Sequence, residues 1–332
     1  MAIQINWGMI GAGDVTEVKS GPAFKKVANS DLIAVMRRNE EKVKDYAERH
    51  GVQRWYTDGR ALIGDKDVNA VYIATPPDSH VAYAIAAMEA GKDVYVEKPM
   101  ALNSAEAEKL VQAQQLYGRK LVIAHYRRAQ PYFRKIKELL NNGAIGTARL
   151  ASVRYFQKTL TAEQLQQPKM QWRIDPQQSG GGLFHDIAPH QIDLMYYFFG
   201  KVTASSGISH NQAKVYPAHD IVSGQILFES DVVFQGTWAF STYEERDECE
   251  IIGSEGRLSF SFFDQRIIRL SNNDGEQEFK FEPLPHVQQP MIEEVVNYFG
   301  GRDTNPCSAA EGLAVMQVMD SFTGDESLSV LK

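Results

Sequence analysis

The chain has 332 residues, 43% of them hydrophobic and 23% charged, and a formal net charge of -7. That length suits two domains with separate cores, and the composition excludes disorder, a collagen-like repeat and a disulfide scaffold. Slight acidity leaves no basic patch for nucleic acid.

No apolar run is long enough to span a bilayer, and no basic segment precedes an apolar one at the start as in a signal peptide. Cys249 and Cys307 have no paired spacing, so neither a zinc site nor a disulfide framework is expected. A cytoplasmic location follows as the expectation.

Up to residue 125 the pattern alternates between short β-branched runs and helical segments. The predicted strands are Ile3–Ile10, Leu32–Met36, Arg54–Tyr56, Ala70–Ala74, Val94–Val96 and Leu121–Ala124. Asn39, Ser79 and Asn103 stand where helices should start, and Gly51, Gly91 and Gly118 where they should stop. Repeated β-α units predict an α/β domain at 1–125 with a doubly wound parallel sheet.

Residues 126–332 read as an α+β domain with a large, mainly antiparallel sheet. Its predicted strands are Ala148–Phe156, Ile221–Phe228, Val232–Phe240, Glu248–Ile252 and Arg257–Phe263. Turns are expected at Glu229-Ser230-Asp231, Ser254-Glu255-Gly256 and Asn272-Asn273-Asp274-Gly275. Helices are expected at Pro131–Asn142, near His185–Phe199, after Pro290, and after a capping box of Ser308 and Glu311.

Gly11-Ala12-Gly13-Asp14-Val15-Thr16 falls where the first strand must turn into a helix. In that context a G-x-G turn lets backbone N–H groups approach a dinucleotide pyrophosphate. Thr16 stands where a third small residue is usual, and Gly21-Pro22 should interrupt the first helix. The second strand ends in Met36-Arg37-Arg38, without the acidic residue that binds a ribose 2′-hydroxyl. Two guanidinium groups suit a 2′-phosphate, so NADP(H) is favoured and NAD(H) remains possible.

Lys98 lies just past a predicted parallel strand, where such sheets bind ligands, and Pro99 pins the backbone behind it. The run Gly180-Gly181-Gly182-Leu183-Phe184-His185-Asp186-Ile187-Ala188-Pro189-His190-Gln191-Ile192-Asp193 is the densest polar cluster. Asp186, His190 and Asp193 share one helical face at i, i+4, i+7. A carboxylate one turn from an imidazole suits proton transfer. A packed core histidine and a metal site that includes His185 are the alternatives, and no metal is expected.

Taken together, these elements resemble the Gfo/Idh/MocA oxidoreductase family. The likeness runs from Gly11-Ala12-Gly13 through Glu97-Lys98-Pro99, Tyr126-Arg127-Arg128 and Asn142-Gly143-Ala144-Ile145-Gly146. It continues through Gly181-Gly182-x3-Asp186-x3-His190-x2-Asp193 to Glu311-Gly312-Leu313, and so covers nearly the whole chain. The resemblance implies a Rossmann domain, with Lys98, Asp186 and His190 as catalytic groups. It also implies Thr75, Pro76, His80, Glu97 and Lys98 near the cofactor, beside Gly11, Ala12, Gly13, Asp14, Val15, Arg37 and Arg38. One departure is Pro76-Pro77-Asp78-Ser79-His80, where relatives usually have Asn after the first proline. The short glycine turn with two arginines is most similar to NADP-using sugar-derivative reductases.

The expected activity is hydride transfer between a nicotinamide and a carbonyl or secondary hydroxyl of a sugar, polyol or related small molecule. Lys98 would stabilise the substrate oxygen, and His190, oriented by Asp186, would carry the proton. Tyr126, Tyr155, Trp172 and Arg173 are candidate pocket residues. The alternatives are a non-catalytic NAD(P) or sugar sensor, and redox-neutral elimination or glycoside hydrolysis. Val233, Phe234, Trp238, Phe240, Phe260 and Phe262 exceed what one helical layer easily covers, so a homodimer or homotetramer through the second sheet is expected.

Overall fold

The computed structural model describes residues 3–324. It divides into two compact units. One holds the chain up to Gln130 together with Leu284–Leu313, and the other holds Pro131–Pro283 and the chain from Ala314. Against the expected 1–125 and 126–332, this partition places a late segment with the nucleotide half.

The first unit carries β1 (Ile5–Ile10), β2 (Ser30–Met36), β3 (Arg54–Tyr56), β4 (Ala70–Ile73), β5 (Asp93–Val96) and β6 (Leu121–Ile123). All pair in parallel, in the order β3-β2-β1-β4-β5-β6. That is the Rossmann order, with its switch point between β1 and β4. Every residue of β4 and β5 is buried, as a sheet covered on both faces requires. Asn39 caps helix Glu40–Arg49 through Lys42 N–H at 2.9 Å, and Asn103 caps Ser104–Tyr117 through Glu106 N–H at 2.9 Å. The first helix ends after Asp14–Val18, and Gly21–Phe24 forms a separate turn of helix, so Gly21-Pro22 does interrupt it.

The second unit carries β7 (Ala148–Lys158), β8 (Val202–His210), β9 (Ile221–Phe228), β10 (Val233–Thr242), β11 (Arg246–Gly253), β12 (Gly256–Phe260), β13 (Ile267–Asn272) and β14 (Gly275–Lys280). Their order is β14-β13-β12-β11-β7-β10-β9-β8. Every pair is antiparallel except β7 with β10, an interior pair of the sheet. Sequence patterning missed β8, β13 and β14. Strand β8 is largely Ser, Thr, Ala and Gly, and edge strand β14 is almost wholly exposed and charged, so neither shows apolar alternation.

The premise for the expected oligomer is corrected. Phe234, Trp238, Phe240, Phe260 and Phe262 are all buried within the unit. Helix Leu183–Phe199 covers them: the Phe184 ring meets Trp238 at 5.2 Å, and Trp238 Nε1 donates to Gln191 Oε1 at 2.5 Å. Phe322 adds a further contact on Trp238 at 6.0 Å, and Phe133 lies 6.2 Å from Phe262. The other face is polar, with a row in register of Leu227, Val233, Leu150 and Ile252. Among the described residues no helix is long and apolar enough to cross a membrane.

Candidate functional site

In the first unit, the connections after β1, β4 and β5 all leave the carboxyl end of the sheet. Gly11 has φ +100°, and a Cβ there would lie 2.7 Å from the Ala74 carbonyl carbon, so the β1 turn can pass β4 only as glycine. The N–H groups of Gly11 and Ala12 both donate to Met36 O at 3.0 Å, and Gly13 N–H donates to Thr16 Oγ1 at 2.9 Å. Thr16, buried, also donates to Gly13 O, so its hydroxyl ties the turn together where a third glycine is usual. The N–H groups of Asp14 and Val15 meet no acceptor among the described residues. These two, at the start of the helix, are the donors left for a phosphate. Gly13 has nothing closer than 3.8 Å to a would-be Cβ, so the turn is open there. The turn therefore fits a dinucleotide, for which the Asp14 and Val15 amides rather than the glycine amides would be the donors.

Arg37 is half-buried and Arg38 exposed at the end of β2, and neither meets a carboxylate among the described residues. Thr75 accepts Ser79 Oγ at 2.8 Å, and a 3-10 turn over Pro77–Ser79 follows Pro76. His80 is buried with Nδ1 2.9 Å from Pro99 O and Nε2 2.7 Å from Thr75 O. Burial pulls its pKa down to about 4, against the two carbonyls and with help from the charge of Lys98. His80 thus lies between the β4 and β5 connections, its single N–H bonding one of the two backbone carbonyls.

Glu97 is also buried. It accepts Tyr72 OH at 2.6 Å and Gln288 Nε2 at 2.6 Å, and Tyr72 OH lies 3.1 Å from Ser20 Oγ. Lys98, half-buried, begins the loop, and the Lys98–Pro99 peptide is cis. Tyr126 is buried in a 3-10 turn beneath the Arg127 guanidinium, 5.5 Å from its ring. Arg128 next to it donates to Glu311 Oε1 at 2.6 Å. Gln288, Tyr72 and the Arg128–Glu311 pair were missed as partners. Although Arg128 and Glu311 both lay in quoted motifs, nothing local to either announces a pair 183 positions apart.

In the second unit, Gly182 precedes helix Leu183–Phe199, which contains Pro189 and so lacks one internal N–H donor just before His190. Asp186 and His190 sit one turn apart on it. Arg173 Nε donates to Asp186 Oδ2 at 2.9 Å, and the Arg173 guanidinium lies 4.4 Å from the Trp172 ring. His190 is buried, with the Phe263 ring edge-on at 6.0 Å. Phe263 also meets Tyr155 at 5.3 Å, and Gln157 Nε2 donates to Tyr155 OH at 2.7 Å. Trp172, Arg173 and Asp186 are therefore brought together directly, and Tyr155 and His190 through Phe263, which sequence reading had only as a strand end. Burial pulls His185 down to about 4 beside Gly181 and His219, and Asp193 is buried. Among the described residues no three His, Cys, Asp or Glu side chains are grouped to hold a metal.

Comparison with known proteins bears on the family and the fold. Residues 5–125 match the family model "Oxidoreductase family, NAD-binding Rossmann fold", and residues 133–259 match "GFO/IDH/MocA C-terminal domain". The chain is 49% identical to "Oxidoreductase P35" of Formosa agariphila over 98% of this chain and 100% of that protein. It is 29% identical to 1,5-anhydro-D-fructose reductase of Ensifer adhaerens over 83% of each. In fold it is similar to levoglucosan dehydrogenase solved with NADH and levoglucosan, with a TM-score of 0.85, 22% identity and 96% of each chain covered. The chain belongs to the Gfo/Idh/MocA family of NAD-binding oxidoreductases.

Proposed function

We propose that this oxidoreductase transfers hydride between NADP(H) and a carbonyl or secondary hydroxyl of a sugar, anhydrosugar or polyol. The observation that carries the reading is the set of Asp186 and His190 on one helical face, with Arg173 and Trp172 at the carboxylate. Such a group offers charged donors and acceptors beside an aromatic face, the chemistry that a polyhydroxylated ring calls for. The names of the 1,5-anhydro-D-fructose reductase and levoglucosan dehydrogenase relatives support the same class.

A bound nicotinamide supplies or accepts the hydride. The chain's own residues handle charge and protons. In reduction, the Lys98 ammonium stabilises the oxygen on which negative charge develops, and His190 gives it a proton. In oxidation, neutral His190 takes the hydroxyl proton, and Asp186 stabilises the imidazolium that forms. Asp14 and Val15 N–H would hold the pyrophosphate, and Arg37 and Arg38, with no carboxylate partner among the described residues, would receive the 2′-phosphate. Two copies pair through the open sheet face around Leu227, Val233 and Ile252, whose exposed apolar row calls for cover. Sedimentation of the purified protein tests that pairing, and a monomer at micromolar concentration rejects it.

The test of function is a panel of carbonyl sugars and polyols assayed with NADPH, NADH, NADP and NAD at the nicotinamide absorbance. Turnover of at least one sugar-like carbonyl or polyol with higher kcat/KM for the phosphorylated cofactor is expected. A strong preference for NAD(H) overturns the cofactor assignment, and absence of turnover across the panel overturns the substrate class.

A further inference from the structure

We infer that Arg173 is the positioning residue of the acid–base pair, fixing the Asp186 carboxylate and offsetting its charge, so that Asp186 raises the proton affinity of His190 less than an unpaired carboxylate would. The inference rests on the roles of Asp186 and His190 proposed above. It extends them to a residue outside their helix, on Pro168–Ile174.

The guanidinium of Arg173 is held on three sides. Nε donates to Asp186 Oδ2 at 2.9 Å, Nη1 donates to Lys169 O, and the Trp172 ring lies 4.4 Å from its centre. A planar cation stacked on an aromatic and bonded at two nitrogens has little freedom left, so the direction it imposes on the carboxylate is set before any ligand arrives. Both partners are only about one-fifth exposed, with side-chain values of 23% and 22%, so water screens the pair weakly.

The consequence for His190 follows from charge. A bare carboxylate one turn away would draw a proton strongly onto the imidazole and make it a sluggish acid near neutrality. Arg173 shares that negative charge and brings the imidazole nearer to the pH at which it can both give and take a proton. Other groups lie near the pair within the same unit. The Phe263 ring edge lies against His190, and behind it Asp247 accepts the N–H groups of Phe262 and Phe263 at 3.1 and 2.7 Å. On the same helix stand Asp193, buried, and His185, buried and neutral at pH 7, with His219 acting on it. Arg173 places a cation in direct contact with the carboxylate.

The test is the titration of His190, read by NMR of ring-labelled protein, with His190→Ala identifying the signal. The wild type is compared with Arg173→Met, Arg173→Lys, Asp186→Asn and the Asp186→Asn, Arg173→Met double variant. Removing the cation should raise the midpoint by about one pH unit, a tenfold change in proton affinity, and Arg173→Lys should restore most of it. In the Asp186→Asn background the same removal should move the midpoint much less. If Arg173→Met is unstable, Arg173→Gln, which keeps a donor without the charge, serves the same comparison. An unchanged midpoint, or an equal shift with and without the Asp186 carboxylate, overturns the inference. Assay of the same proteins with NADPH and 1,5-anhydro-D-fructose separates the two levels. Full turnover by His190→Ala sinks the proposed catalytic roles, whereas a dead His190→Ala beside an unmoved titration sinks only the part given to Arg173.

Discussion

Gln288 Nε2 donates to Glu97 Oε1 at 2.6 Å across 191 positions of sequence, and neither side chain is more than 7% exposed. Glu97 is the residue before Lys98, and the same oxygen accepts Tyr72 OH. Gln288 is itself fastened, since its N–H donates to Lys19 O and its carbonyl accepts Ile292 N–H. The loop that presents Lys98 therefore starts from an anchored carboxylate, tied to a segment that returns from late in the chain.

Replacing that anchor should cost both stability and rate. Gln288→Leu leaves a buried carboxylate one donor short, which should lower unfolding stability by about 3 kcal/mol. Urea denaturation checks the size, and kcat should fall more than KM rises because Lys98 loses its fixed base. A Gln288→Leu protein as stable as the wild type would show that the bond contributes nothing.

Glu311 makes a pH-dependent clamp. Burial pushes its carboxyl up, but the charge and hydrogen bond of Arg128 and the bonds from Ser308 outweigh this and hold it below the usual range. Because the folded pKa lies below the unfolded one, this contribution is present above the ordinary carboxylate range and is lost as pH falls through the folded value. Glu311→Gln should therefore unfold more easily than the wild type at pH 7, by about 1–3 kcal/mol, with the difference shrinking below about pH 4.5. Thermal melts across that range give the comparison.

The cofactor assignment predicts an asymmetric effect. Arg37→Ser or Arg38→Ser should raise KM for NADPH by about tenfold to a hundredfold, as loss of a hydrogen bond to a charged group implies, with a much smaller change for NADH. Equal effects on both cofactors would show that neither guanidinium reads the 2′-phosphate.

Lys98→Met should reduce kcat by about two to three orders of magnitude, the usual cost of one group aimed at a developing oxyanion. His190→Ala should cost about two to four orders. Single-turnover hydride transfer, followed at the nicotinamide absorbance, keeps chemistry apart from product release. A Lys98→Met enzyme with near wild-type single-turnover rate would remove Lys98 from the reaction.

Much of the framework was legible because its signals are local. The six parallel strands declared themselves by β-branched runs between caps at Asn39 and Asn103, whereas their order and the switch point came only from the structure. The Asp186, His190 face was readable from helical spacing, and the two cysteines and the charge balance from counting. The roles of Thr16 and Glu97 were not. Thr16 looked like a departure from a glycine fingerprint, yet its hydroxyl closes the turn.

The order of residues along the chain settled the strands of the first sheet, most of the long helices and where the glycine turn lies. Those outcomes depend on neighbours within about ten positions, through φ, capping and apolar period. Tertiary structure alone decided the parallel pairing of β7 with β10, the return of 284–313 to the first unit, and the partners of Glu97, Arg128 and Asp186. Each of these joins groups that only folding brings within hydrogen-bonding reach, and a buried polar atom takes whichever partner the packed chain supplies.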